Sequence, residues 1–144
     1  MKLAINNIQD MIIYTDKIST IEYDKESQNI TYLEHGFANK ELLIQQFKAV
    51  VEFSKKTPIT SAIIDFRKLH GSFKNIFEYL NNEYYPAIKA QGLTCKAFII
   101  SEDIISNYLT KELVKDLRKQ GIDAAIFSTT KAAGQWVNEH KQAC

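Results

Sequence analysis

Cysteine, proline, glycine and arginine are all scarce in this chain, and each shortage removes a class of protein. The two cysteines, Cys95 and Cys144, are too few for a disulfide framework in 144 residues, and one of them is the last residue. A reducing cytoplasm is therefore the expected compartment. Two prolines and five glycines leave few turn-forming positions, which argues against a loop-rich sandwich and for long regular elements. Of 18 basic side chains only Arg67 and Arg118 are arginine, so extensive bidentate phosphate recognition is not expected. The 17 acidic side chains bring the net charge to +1, so no global field attracts nucleic acid or an anionic membrane. The longest apolar runs, such as Met11 to Tyr14 and Ala97 to Ile100, are four residues, too short to cross a bilayer. The N-terminal MKLAINNIQDMIIY has no continuous apolar region ending in a small-residue cleavage site. P-loop, dinucleotide, HExxH and CxxC patterns are missing too, so no cofactor is expected.

What remains is an ordinary globular composition, 45% hydrophobic and 24% charged, at a length that suits one domain with one core. Ile18 to Asp24 and Asn29 to His35 alternate apolar and polar residues around a polar turn, which predicts an antiparallel hairpin. Met11 to Tyr14 supplies a short leading strand. Asn39 can cap a helix with Leu43, Phe47, Val50, Val51 and Ser54 on one face, closing before Pro58. Beyond it the rhythm changes. Ser61 to Phe66, Lys96 to Ile100 and Ala124 to Phe127 are short runs without alternation, as expected of covered parallel strands.

Three helical patterns separate and follow those runs. The first begins near Ser72 with a stripe of Phe73, Ile76, Phe77, Leu80 and Tyr84, contains Pro86 and stops before Gly92. The second spans about Asp103 to Gln120 with a break expected near Thr110. The third spans about Thr130 to His140, with Ala133, Trp136, Val137 and His140 inward. Successive β-then-α units predict an α/β fold with parallel strands and right-handed crossovers.

In such folds ligands bind outside the carboxyl ends of the parallel strands, where helix N-termini also point. The residues expected at that edge are Asp65, Arg67, His70, Gly71 and Ser72, then Ser101, Glu102 and Asp103, then Ser128, Thr129 and Thr130. Their hydroxyls and amides beside Arg67 would suit an anion or nucleotide, although Ser, Thr and Asp are also what helix N-caps prefer. Asp65 and Arg67 share a strand face, so an ion pair between them is the simpler reading than a catalytic one. His70 stands two residues from Ser72 with no third group to orient it, which makes a catalytic couple improbable on chemical grounds. Adjacent Glu102 and Asp103 fit a helix first turn. His35, His70 and His140 fall in different elements, and the one close pair, His140 with Cys144, lies on a terminal tail, so no metal site is expected. Tyr79 and Tyr85 lie about 120° off the helical stripe at 100° per residue, and are candidates to pack against a partner.

The segments STIEYD and NITYLEHGF, SAIIDFR, EYYPAIKAQGL, KAFIISEDI and AIFSTTKAAGQW together resemble, over nearly the whole chain, the STAS/SpoIIAA-like superfamily, and within it a group of small bacterial STAS-like proteins. The resemblance implies a SpoIIAA-like sheet and a non-catalytic module that binds a protein partner or a small ligand. Some members are phosphorylated on a serine in an Asp-Ser-Ser-Gly-like loop before a helix. Here that loop reads LHGSFKN, which leaves Ser72 as the possible phospho-acceptor without the flanking Asp-Ser and Gly. The resulting expectation is a cytoplasmic regulatory or interaction module that binds a protein partner or itself as a homodimer, with a small-molecule, anion or nucleotide carrier at Arg67 and Ser72 as the alternative.

Overall fold

The computed structural model describes residues 10–143. A six-stranded mixed sheet runs in the order β1-β2-β3-β4-β5-β6. Strands β1 (Asp10–Thr15), β2 (Ser19–Asp24) and β3 (Asn29–Phe37) pair antiparallel, as the alternating segments predict. From β3 onward every neighbour is parallel, through β4 (Ser61–His70), β5 (Cys95–Ile99) and β6 (Asp123–Phe127).

The parallel strands follow one another without a reversal, so right-handed crossovers place every connecting helix on the same face. Helix α1 (Lys40–Ser54) joins β3 to β4, the irregular helix α2 (residues 74–90) joins β4 to β5, and α3 (Ile104–Lys119) joins β5 to β6. Their inward residues, including Leu43, Phe47, Leu80, Leu113 and Leu117, form the main core with Ile21, Ile30, Tyr32, Ile64 and Phe98 from the sheet. Helix α4 (Thr130–Ala143) has no further strand to reach and folds back over the other face, where Ala133 and Val137 pack on Ile63, Ala97 and Ile99. Strand β5 is covered on both sides and buried throughout.

The Asn39 cap forms as the sequence predicts, whereas Asp103, expected with Glu102 inside a first turn, stands before the helix as its N-cap. The Asn39 side chain accepts the Leu42 amide at 3.0 Å, Asp103 accepts Ser106 at 3.0 Å, and Thr129 accepts Ala132 at 3.1 Å. The expected break near Thr110 is absent: α3 is continuous, because Leu109, Leu113 and Leu117 hold one buried stripe through it. No helix among the described residues is long and apolar enough to cross a membrane.

Helix α2 departs most from expectation. It runs as a 3-10 turn at Lys74–Ile76, an α turn at Phe77–Tyr79, a π turn at Leu80–Tyr84 and an α segment at Tyr85–Ala90. A π turn takes in one extra residue and so rotates everything after it by about 100° relative to a regular helix. That rotation turns Tyr85 into the core beside Tyr84, both being 1% exposed. Tyr85 is therefore no interface residue. Tyr79 stays half-buried and packs against the core. Phe77, expected at the centre of the stripe, is also only half-buried.

Candidate functional site

The carboxyl edge opens for a topological reason. The chain leaving β5 turns to α3 on one face and the chain leaving β6 turns to α4 on the other, so the two loops part and leave a crevice. That crevice is a cleft of about 810 Å³ lined by Arg67, Ile100, Ser101, Glu102, Asn107, Ile126, Phe127 and Ser128. Four of the residues expected there, Arg67, Ser101, Glu102 and Ser128, line it. Thr129 and Asp103 are spent as caps at its margin.

Arg67 does not present a bare cation to the cleft. Its Nε donates to Asp65 Oδ1 at 3.0 Å and its Nη2 to Asp65 Oδ2 at 2.7 Å, while the Arg67 amide also reaches Oδ1 at 3.0 Å. Nη2 donates in addition to Thr130 Oγ1 at 3.0 Å, which ties β4 to the start of α4. Partial burial pushes the Asp65 carboxyl up, but its bonds from Arg67 outweigh that and hold its pKa below the ordinary value. The Asp65–Arg67 pair foreseen from the sequence is thus present, and its charge is internally balanced.

His70, Gly71 and Ser72 do not join this edge. Strand β4 continues past Asp65, where β5 ends opposite it, and pairs with β3 as far as Phe37 and His70. Five residues of strand carry His70 about 17 Å beyond Asp65 at roughly 3.3 Å per residue. There the His70 ring packs on Phe37 with centroids 5.8 Å apart, and Gly71 turns the chain at φ 87°. Exposed Ser72 accepts the Lys74 amide at 3.2 Å in a local turn, and the N-cap position falls on Phe73 rather than on Ser72 as expected. The expected couple of His70 with Ser72 gains no third group from this placement.

Three large apolar side chains stand beside the cleft on the first turns of α3: Ile104 is 83% exposed, Ile105 56% and Tyr108 59%. Neither the helical stripe nor the N-cap reading singled them out. The signal of Ile104 and Tyr108 was legible all the same, because they fall outside the Leu109, Leu113 and Leu117 face, whereas Ile105 stands one turn before Leu109.

A second polar cluster lies inside the core and escaped sequence reading. Lys96 on β5 is fully buried, and its Nζ sits 4.9 Å from the Tyr32 ring centroid and 5.4 Å from those of Phe47, Tyr84 and Phe98. Ala62 and Ala124 flank it on the neighbouring strands and leave room for its stem. Buried Glu34 on β3 accepts Gln46 Nε2 at 3.0 Å and Ser19 Oγ at 3.2 Å. Burial pushes the Glu34 carboxyl up to about 7 and the Lys96 ammonium down to about 7. The hydroxyls of Tyr32 and Tyr84 bond each other above the same box.

No described group of three or more His, Cys, Asp or Glu side chains could hold a metal. Cys144 of the proposed His140 pair lies outside the described residues; His140 itself stacks on Trp136 and pairs with Asp123. Comparison with protein-family models, curated proteins and solved structures finds no match.

Proposed function

We propose that this chain is a non-catalytic, STAS-like interaction module that binds a protein partner, or a second copy of itself, at the carboxyl edge of its parallel strands. The observation that carries the reading is the exposed cluster of Ile104, Ile105 and Tyr108 at the rim of the cleft. Contiguous large apolar side chains on a water-facing helix cost solvation unless something covers them. The arrangement of a leading hairpin and successive β-α units supports the STAS-like part of the reading. A net charge of +1 offers little repulsion between copies, which supports self-association as a homodimer.

The alternative, a small-ligand carrier, is supported by the cleft volume and by Ser101, Asn107 and Ser128 along it. The paired state of Arg67 argues against an anion as that ligand. Ser72 on the exposed arm is the hydroxyl a kinase would reach, and phosphate there would add charge beside Lys74. Native mass measurement of the protein from its own cells tests the reading. A dimer or protein complex that dissociates on Ile104→Asp supports it; a monomer carrying only a small-molecule adduct overturns it in favour of the carrier.

A further inference from the structure

The solvent face of α3 changes character along its length. At 100° per residue, Ile104, Tyr108, Lys111 and Lys115 fall within one narrow stripe, with Arg118 beside it. The stripe is apolar over its first turns and cationic over the rest, and Lys119 adds a further cation at its end. Between α3 and β6 lies a shallow groove of about 330 Å³ lined by Lys111, Val114, Lys115, Arg118, Ala125 and Ile126. Ile126 also lines the cleft, so groove and cleft adjoin at that residue.

The carboxylates nearby cancel this charge only in part, at Lys115. Glu112 meets Lys115 at 3.4 Å, and Asp116 is turned aside to accept Asn81 Nδ2 at 3.0 Å. Asp123, on the adjoining strand, pairs with His140. Lys111, Arg118 and Lys119 have no ion pair with a described residue. The last turn of a helix favours cations on dipole grounds, which accounts for Arg118 and Lys119 but not for Lys111 and Lys115 further in.

Strand addition at the start of β6 is blocked. Asp123, Ala125 and Phe127 face β5 with their backbone groups, which leaves the Ala124 amide and carbonyl on the outer edge. The Asp123 side chain takes that amide at 3.0 Å and Arg118 donates to that carbonyl at 2.8 Å. At that position a ligand of this groove meets side chains of the helix stripe rather than free strand backbone.

We infer that the partner offers an extended acidic segment with an apolar end, which lies along α3 with its apolar end on Ile104 and Tyr108 and its carboxylates on Lys111, Lys115 and Arg118. Charge complementarity chooses this occupant over a second copy of the same face, since two copies would set lysine against lysine. The inference rests on the interaction reading above and names the partner's chemistry. At 1.5 Å per residue the stripe from Ile104 to Arg118 is about 21 Å long, which about seven extended residues cover.

The test uses fluorescence anisotropy of the full chain with a capped peptide of about ten residues, bearing Leu and Phe at one end and alternating Glu beyond. A second peptide carries Gln at every Glu position. The Glu peptide is expected to bind about tenfold more tightly, with affinity falling as salt rises. Lys111→Gln with Lys115→Gln should abolish that advantage and leave the Gln peptide unaffected, the melting temperature serving as the control for folding. Equal binding of both peptides, lost in Ile104→Ala with Tyr108→Ala, overturns the acidic partner and leaves the interaction reading standing. Binding of neither peptide, with a monomer unaltered by Ile104→Asp, overturns both.

Discussion

The Lys96 ammonium lies 4.9 Å from the centroid of the Tyr32 ring, inside a box of four aromatic rings and without a carboxylate at ion-pair distance among the described residues. Rings offer a cation the negative face of their quadrupole, which offsets part of the desolvation cost. Glu34 acts on Lys96 from further off and stabilises its charge. Burial nevertheless dominates at both groups and drives each toward neutrality.

This gives an unusual dependence of stability on pH. Glu34 is pushed from its ordinary 4.5 up to about 7, so the folded state holds a proton that the unfolded state has released. Its contribution is full below pH 4.5 and is lost as pH rises through 7. Lys96 is lowered from 10.5 to about 7, so its contribution is full above 10.5 and is lost as pH falls through 7. Each group changes stability by up to about 1.4 kcal/mol per pH unit in its window. Denaturant melts at about pH 5, 7 and 9 should show a minimum near the middle value. A maximum there would remove the assignment. Glu34→Gln should flatten the acid limb and Lys96→Met the alkaline limb, the latter at little or no cost in stability because it removes a buried charge while keeping the volume.

How much of this was legible in the sequence depends on how local each signal is. The hairpin and the cap at Asn39 follow from side chains acting within a few residues, and both formed. The burial of Glu34 was also readable, since it shares a strand face with Ile30 and Tyr32 at spacing two. The same holds for Lys96 with Phe98, although the ring box that receives it needs α1, α2 and β3 to be in place. The π turn in α2 was not readable, because it depends on how two consecutive tyrosines and Pro86 pack against a core already built. The split of the carboxyl edge had a similar origin: β4 outruns β5, and only pairing with β3 keeps it extended to His70.

Replacing Leu80 by Ala should cost about 2 to 5 kcal/mol, because its side chain is buried at the start of the π turn. Phe77→Ala should cost less than a fully buried phenylalanine would, since part of its side chain already meets solvent. Urea denaturation orders the two variants. Equal losses would place Phe77 as deep as Leu80.

Tyr84 and Tyr85 should separate by their hydroxyls. Tyr84→Phe leaves the buried Tyr32 hydroxyl without its partner and should destabilise by about 1 to 3 kcal/mol. The Tyr85 hydroxyl is buried with no hydrogen-bond partner among the described residues, so Tyr85→Phe should be neutral or stabilising. A large loss in Tyr85→Phe would show that its hydroxyl has a partner after all.

The last prediction concerns Arg67, which borders the cleft and could serve either an anion or the fold. An anion-binding role requires guanidinium N–H groups directed at the ligand, whereas here Nε and Nη2 are committed to Asp65 and Nη2 also to Thr130. A phosphate would find only the Nη1 N–H groups uncommitted, and a fuller grip would break the bidentate pair and release the contact that ties β4 to α4. Inorganic phosphate should leave the melting temperature of the wild type unchanged, and Arg67→Ala should lower it without any ligand. The loss should be small, about 0 to 1 kcal/mol, since the pair is partly exposed. The sign with pH follows from Asp65. Its pKa is held below the ordinary value, so the pair contributes above the unfolded pKa and fades as pH falls through the folded one. Arg67→Ala should thus weaken the protein at neutral pH and matter less in acid. A rise in melting temperature with phosphate that vanishes in Arg67→Ala would instead make Arg67 a ligand-binding residue, and the Asp65 pair a resting state that the ligand displaces.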